Sequence, residues 1–173
     1  MNEVLKVLKE RRSIRAFRPE PLKKEDLDAI VEAGLYAPSA KNLQSTKLVV
    51  VRDAAVLARL ERLNSRILGT PEGTPFYGAP EAIVVLSDSE YPNWLQDGSL
   101  VMGNLMNAAA ALGIAPAGST GPWRLLNCRR ARLCWRSGVL DENWKGVGNC
   151  ILGYTDQAVL GDKARKEDRV LYV

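Results

Sequence analysis

Histidine is absent from all 173 residues of the chain. Its absence removes Ser-His-Asp and Cys-His catalytic groupings, HExxH helices and the commonest nitrogen ligands of zinc and iron, so hydrolase or metal chemistry built on imidazole is a poor reading. Cysteine is scarce. Cys128, Cys134 and Cys150 form no CxxC pair, and an odd, widely spaced set suits reduced thiols in a cytoplasmic protein better than a disulfide framework. Aromatic residues make up only 6% of the chain and are not interleaved with basic ones, which argues against a nucleic-acid-binding domain. Glu3, Lys6 and Lys9 interrupt the apolar residues of the N-terminus, unlike the h-region of a secretory signal. No GxxxxGK[ST] occurs, and Gly146 and Gly148 fail to begin a GxGxxG because Ile151 holds the third glycine position.

What is present reads as one domain over residues 1–173: 46% hydrophobic and 25% charged residues are the composition of a globular protein with its own core. The net charge of +4 is uneven. Residues 1–24 carry eight Lys/Arg against three Glu, and residues 124–145 carry six against two acids, so the remainder is negative. Such clusters mark an anion site, a nucleic-acid patch or a solvated face.

The apolar spacing predicts a first helix capped by Asn2 and ending near Glu10, then a second from about Lys24 that stops before Pro38. Pro38–Thr46 is a polar loop. KLVVVR at 47–52 and AIVVL at 82–86 read as strands, with an amphipathic helix over 54–63 and a Gly/Pro-rich loop over 64–80 between them. No charged residue occurs from Gly98 to Trp123, but Gly103, Asn104, Asn107, Gly113, Pro116 and Pro122 interrupt that stretch, so Ser99–Leu112 reads as a core or interface helix rather than a membrane span. Gly148–Tyr154 is a third strand, and the apolar end Val170–Val173 can add a strand at a sheet edge.

Three stretches have chemical potential. Arg11-Arg12-Ser13-Ile14-Arg15 offers three guanidinium forks and a hydroxyl, the donor set for a phosphate monoester; in extended backbone Arg11, Ser13 and Arg15 point the same way, although such a cluster is also compatible with solvated surface. Lys163 and Arg165 repeat that alternate spacing. Ala117-Gly118-Ser119-Thr120-Gly121 lacks the first glycine and the histidine of a serine nucleophile elbow, leaving either an ordinary turn or a strand end whose backbone N–H groups approach a planar ligand.

In order along the chain, RRSIRAF at 11–17, APSAKNLQ at 37–44 after its helix, KLVVV, FYGAP at 76–80, the helix at 97–112 and LGY…KARK at 152–166 resemble the nitroreductase family of FMN-dependent oxidoreductases. The resemblance covers nearly the whole chain. It implies an α+β fold with a central mixed β-sheet flanked by helices, and a homodimer binding FMN at the subunit interface. Carried over by position, Arg11, Ser13, Arg165 and Lys163 hold the FMN phosphate and Arg12 lies along the cofactor. Arg15 faces the pyrimidine edge of the ring as an electrostatic tuner, Pro38, Ser39, Ala40 and Asn42 come from the partner chain, and backbone near Gly118 and Ser119 approaches flavin N5. Two departures stand out: Ser45 and Thr46 follow Gln44 where the family commonly has Pro and an aromatic residue, and residues 119–140 include the unusual run RRAR.

The missing histidine then fits, because a flavin carries hydride itself and needs positioning and tuning rather than a protein acid–base pair. The expected function is NAD(P)H oxidation by FMN with ping-pong transfer to a nitroaromatic, quinone or similar acceptor, with no catalytic side chain and no metal. Rival readings are a same-fold flavoprotein with a narrow reduction, such as dehalogenation or an enoate-type reaction, a flavin-binding protein without turnover, and a small basic nucleic-acid domain. Loops 64–78 and 119–140 would shape the acceptor pocket.

Overall fold

The computed structural model describes residues 2–119, 143–158, 161 and 164–173. Among the described residues the elements are, in chain order, α1 (Glu3–Glu10), α2 (Lys24–Leu35), β1 (Thr46–Val51), α3 (Ala54–Ile67), β2 (Glu81–Asp88), α4 (Trp94–Ala111), β3 (Ala115–Ser119) and β4 (Trp144–Gly153), with a short 3-10 turn at Ala40–Asn42. Among the described residues the sheet order is β1-β2-β4-β3, and each neighbouring pair is antiparallel. This corrects the expected mixed sheet. A crossover helix usually returns the chain to a parallel neighbour, but here α3 and the loop after it bring the chain back to the end where β1 finished, so Val51 pairs with Ala82.

β2 is buried along almost its whole length because helices cover both faces of the sheet. Ala82, Val84 and Leu86 pack with Leu60, Phe76 and Ile151 on the α3 side, while Ile83 and Val85 pack with Ile30, Val101, Leu105 and Leu152 beneath α2 and α4. The alternation is the period-two pleat with both sides apolar, which is why the segment reads as a continuous run.

The β2–β4 register shifts between Val85 and Leu86, which pair with Gly148 and Gly146 and leave Val147 as the extra residue of a bulge. The Val147 side chain meets α4 at Gly98, where a Cβ would lie 2.5 Å from Val147 Cγ2 and 2.8 Å from Ser87 Oγ. Close approach of helix and sheet therefore requires glycine at position 98.

Val4, Leu5 and Leu8 of α1, Leu95 and Leu100 of α4 and the tail Val170–Val173 are exposed. The tail, which the sequence allows as an edge strand, forms none in this chain, and all four of its residues are exposed. No helix among the described residues is long and apolar enough to cross a membrane.

Candidate functional site

Asn2 caps α1 by accepting the Val4 N–H at 2.9 Å, and Arg11 closes the other end by donating its backbone N–H to Val7. Beyond Arg11 the chain has no regular secondary structure as far as Arg18. It is tied down at three points: Ile14 N–H donates to Pro116 of β3 at 3.1 Å, Arg18 N–H to Tyr154 at 2.8 Å, and the Thr155 hydroxyl to the Ala16 carbonyl at 2.7 Å. Ile14 is buried, so the segment is seated through its apolar residue while its polar neighbours stay accessible.

A cleft of about 680 Å³ opens between α1 and the C-terminal end of α4, with Lys9, Arg11, Arg12, Ile14, Pro116 and Thr155 in its lining. The Arg12 guanidinium donates to the carbonyls of Lys9 and Arg11, at 2.6 and 2.9 Å, covering carbonyls left open at the helix end. Arg11 also acts on Cys150: burial pushes that thiol up to about 12, and the guanidinium charge opposes the rise. Ser13 and Arg15 are exposed and lie outside the cleft lining. Arg11, half-buried at the C-cap of α1, lines the cleft, and Ser13 and Arg15 flank the buried Ile14 further along the chain.

Arg15 places its guanidinium 5.8 Å from the centre of the Tyr77 ring. Gly118 pairs with Cys150 and is exposed; a Cβ there would meet Met106 Sδ at 3.6 Å and Met102 Cε at 3.8 Å, ordinary contact distances. The fold of this chain does not itself demand glycine at 118. Ser119 ends β3, Arg165 is exposed, and Lys163 and residues 120–142, including RRAR, lie outside the described residues.

The loop Pro38–Gln44 is built differently. Lys41, Asn42 and Gln44 all have positive φ, near 50°, a conformation costly for residues other than glycine. Local bonds hold it: Gln44 N–H donates to Ser39 Oγ at 3.0 Å and Gln44 Nε2 to Asn42 Oδ1 at 3.1 Å. The buried Asp97 carboxylate accepts the Ala40 N–H. Asp97 sits in the first turns of α4, whereas Ala110, in the lining of the arginine cleft, is at the other end. They lie thirteen positions apart, about 20 Å along the axis. One chain therefore brings Arg11, Arg12, Ser13, Arg15 and Gly118 into one neighbourhood but holds Pro38, Ser39, Ala40 and Asn42 in another.

Sequence reasoning passed over Tyr77 and Asp97 as individual residues. For Asp97 a signal existed, a lone carboxylate at the threshold of the charge-free stretch; for Tyr77 there was only its place within FYGAP.

A family model described as the nitroreductase family matches residues 8–121. A relative from Archaeoglobus fulgidus, provisionally named an NADH dehydrogenase/NAD(P)H nitroreductase, is 37% identical over 119 residues, 66% of this chain and 65% of its own length. The match thus spans just under two thirds of that relative. Among solved structures, a nitroreductase with bound FMN from Bacteroides fragilis superposes with a TM-score of 0.90 at 28% identity over 100% of both chains. Another with bound FMN, from Desulfitobacterium hafniense, gives 0.86 at 29% identity over 100% of this chain and 99% of that one.

Proposed function

The chain belongs to the nitroreductase family, and from that premise we propose that it is a homodimeric, FMN-dependent oxidoreductase that takes reducing equivalents from NADH or NADPH and delivers them to a nitroaromatic, quinone or similar acceptor. The observation that carries this reading is the Ile14–Pro116 hydrogen bond, which seats the arginine segment against the strand that bears Gly118. Cationic donors are thereby brought beside a strand whose penultimate residue has no side chain, the two surfaces that a phosphate-bearing planar cofactor requires.

The residues present fit FMN. Arg11 and Arg12 bring fixed guanidinium donors to a cleft of about 680 Å³, with the Ser13 hydroxyl next along the chain. Arg165 and Lys163 supply further positive charge from the tail. Arg15 is the cation for the ring, and an exposed Gly118 backbone admits a flat face that a Cβ would keep away. FMN supplies the hydride and single-electron chemistry when bound. The protein's part is to bind the phosphate, to orient the ring between β3 and the Arg15 segment, and to set its electronics with a fixed charge.

The separation of the loop 38–44 from the arginine cleft supports the dimer. Pro38, Ser39, Ala40 and Asn42 reach a flavin only if the partner supplies them, and the exposed apolar residues of α1, α4 and the tail provide a surface to bury in doing so. Such an interface belongs to the obligate class, above roughly 2,000 Å².

A spectrum tests the reading directly. The protein should purify yellow with about one FMN per chain released on denaturation. NADH or NADPH should bleach the bound flavin and an added quinone or nitroarene should restore it. Colourless protein that takes up no added FMN overturns the cofactor, and a stable FMN-loaded monomer in sedimentation overturns the dimer.

A further inference from the structure

Tyr77 occupies a position that its own conformation disfavours. Its φ is +53°, in the left-handed region, and Gly78 after it has φ +75°. Glycine or asparagine takes that conformation cheaply, whereas a bulky aromatic residue there is an outlier that persists only where its surroundings impose it. The surroundings do so here. Phe76, just before, is buried and donates its N–H to Glu61 Oε1 at 2.9 Å; Tyr77 N–H donates to Thr74 and Ala79 N–H to Phe76, each at 2.9 Å. Ala79, on the far side, is buried as well.

The turn leaves Tyr77 42% exposed, so burial covers this aromatic residue only in part. The ring meets Arg15, whose Cζ lies 5.8 Å from its centre, within the range of a cation–π contact. Among the described residues no carboxylate pairs with Arg15. A long exposed arginine would otherwise sample many rotamers, and a fixed aromatic face limits them.

We propose that Tyr77 is a positioning residue whose strained turn presents its ring to hold the Arg15 guanidinium in place as the cation that tunes the flavin. The inference rests on the proposed function, in which Arg15 faces the ring of bound FMN. A cation contributes to the potential of a cofactor only as far as it is kept near it, so a mobile Arg15 would be averaged away and screened by water. The strain at Tyr77 is then the cost of a fixed charge.

Tyr77→Gly suits the test, because glycine accepts the left-handed conformation and the variant retains its turn while losing the ring. In cofactor-free protein, relaxation of the Arg15 Nε–H by NMR should show a restricted side chain that becomes mobile in Tyr77→Gly and stays restricted in Tyr77→Phe. In the FMN-loaded protein, Tyr77→Gly should move the flavin midpoint potential downwards, in the same direction as Arg15→Ala. Tyr77→Phe should leave it in place, and the double variant Arg15→Ala/Tyr77→Gly should fall no further than Arg15→Ala alone. An Arg15 equally mobile in the wild type and Tyr77→Gly overturns the contact. A potential that responds to Arg15→Ala but not to Tyr77→Gly overturns the positioning role while leaving the flavin reading intact. Absence of FMN binding, or a potential indifferent to Arg15→Ala, overturns the reading of Arg15 and this inference with it.

Discussion

The Asp97 carboxylate accepts the backbone N–H of Ala40 through both oxygens, at 3.1 and 3.3 Å, so the N-terminal part of a core helix grips a loop with three left-handed residues. Asp97 is 4% exposed and close to the positive end of α4, where a carboxylate is favoured. Asp97→Ala should cost about 1.5–3 kcal/mol in urea unfolding, the scale of a lost hydrogen bond to a charged group. Asp97→Asn, which keeps an acceptor oxygen, should cost less. FMN retention should fall in the same order, because the loop that carries Ser39 and Asn42 loses its shape.

Cys150 should resist alkylation while the protein is folded. Burial pushes its thiol up to about 12 from an ordinary 9.0, leaving almost no thiolate at neutral pH, with Arg11 acting in the opposite sense. Peptide mapping after iodoacetamide at pH 8 should find residue 150 unmodified in native protein and modified after denaturation. Because the folded chain holds this proton more tightly than the unfolded one, the stability due to the neutral thiol is intact below pH 9 and declines between pH 9 and about 12. Comparing wild type with Cys150→Ala across that window should show the wild type losing its relative advantage, by at most about 1.4 kcal/mol per pH unit.

Two glycines should behave oppositely when replaced. Gly98→Ala drives a Cβ into the bulged Val147 and should lower stability by about 1–3 kcal/mol, the usual scale for overpacking. Gly118→Ala finds only ordinary contacts and should unfold within about 0.5 kcal/mol of the wild type. Under the proposed function it should nevertheless bind FMN more weakly, since the added methyl group would crowd the backbone proposed to face the ring. Equal losses of stability in both variants would contradict this division between packing glycine and ligand glycine.

Anchoring and tuning should also separate along the arginine segment. Arg11→Ala, at the cleft, should weaken FMN binding by about 1.5–3 kcal/mol and leave the potential of the flavin that does bind little changed. Arg15→Ala should chiefly lower the potential. Spectroelectrochemistry beside equilibrium dialysis checks both, and the reverse pattern would exchange the two roles.

The sequence was most legible where local chemistry and burial agree. The Asn2 cap, the stop of α2 before Pro38 and the doubly buried AIVVL strand are where they were expected. It was least legible where a polar side chain is buried for a tertiary reason. α4 begins at Trp94, ahead of the expected Ser99, and includes Asp97, whose charge is hidden because it holds Ala40. α3 runs past Leu63 to Ile67 through Asn64 and Ser65, both buried; Asn64 donates to the Leu60 carbonyl and accepts from Asn149 of β4. β3, APAGS, has no β-branched residue at all and contains Pro116, which an edge strand tolerates. The start of β4 at Trp144 was masked by its bulge, which interrupts the alternation at Val147. At the candidate site the run of arginines was legible from residue type alone, whereas the contact of Tyr77 with Arg15 joins residues too distant in sequence for any local pattern to connect.

The length of α4 has a genetic corollary. Under the proposed assembly, each flavin draws its arginine segment from one subunit and its 38–44 loop from the other, so a lesion at Arg11 and a lesion at Asn42 in the same chain fall in different sites. Two inactive proteins, one damaged at each position, would when mixed and re-associated form hybrids in which one site has both lesions and the other has neither. Restored activity on mixing, up to about half that of the wild type in each hybrid, would be complementation between alleles of a single gene, with the span of one helix as its physical basis.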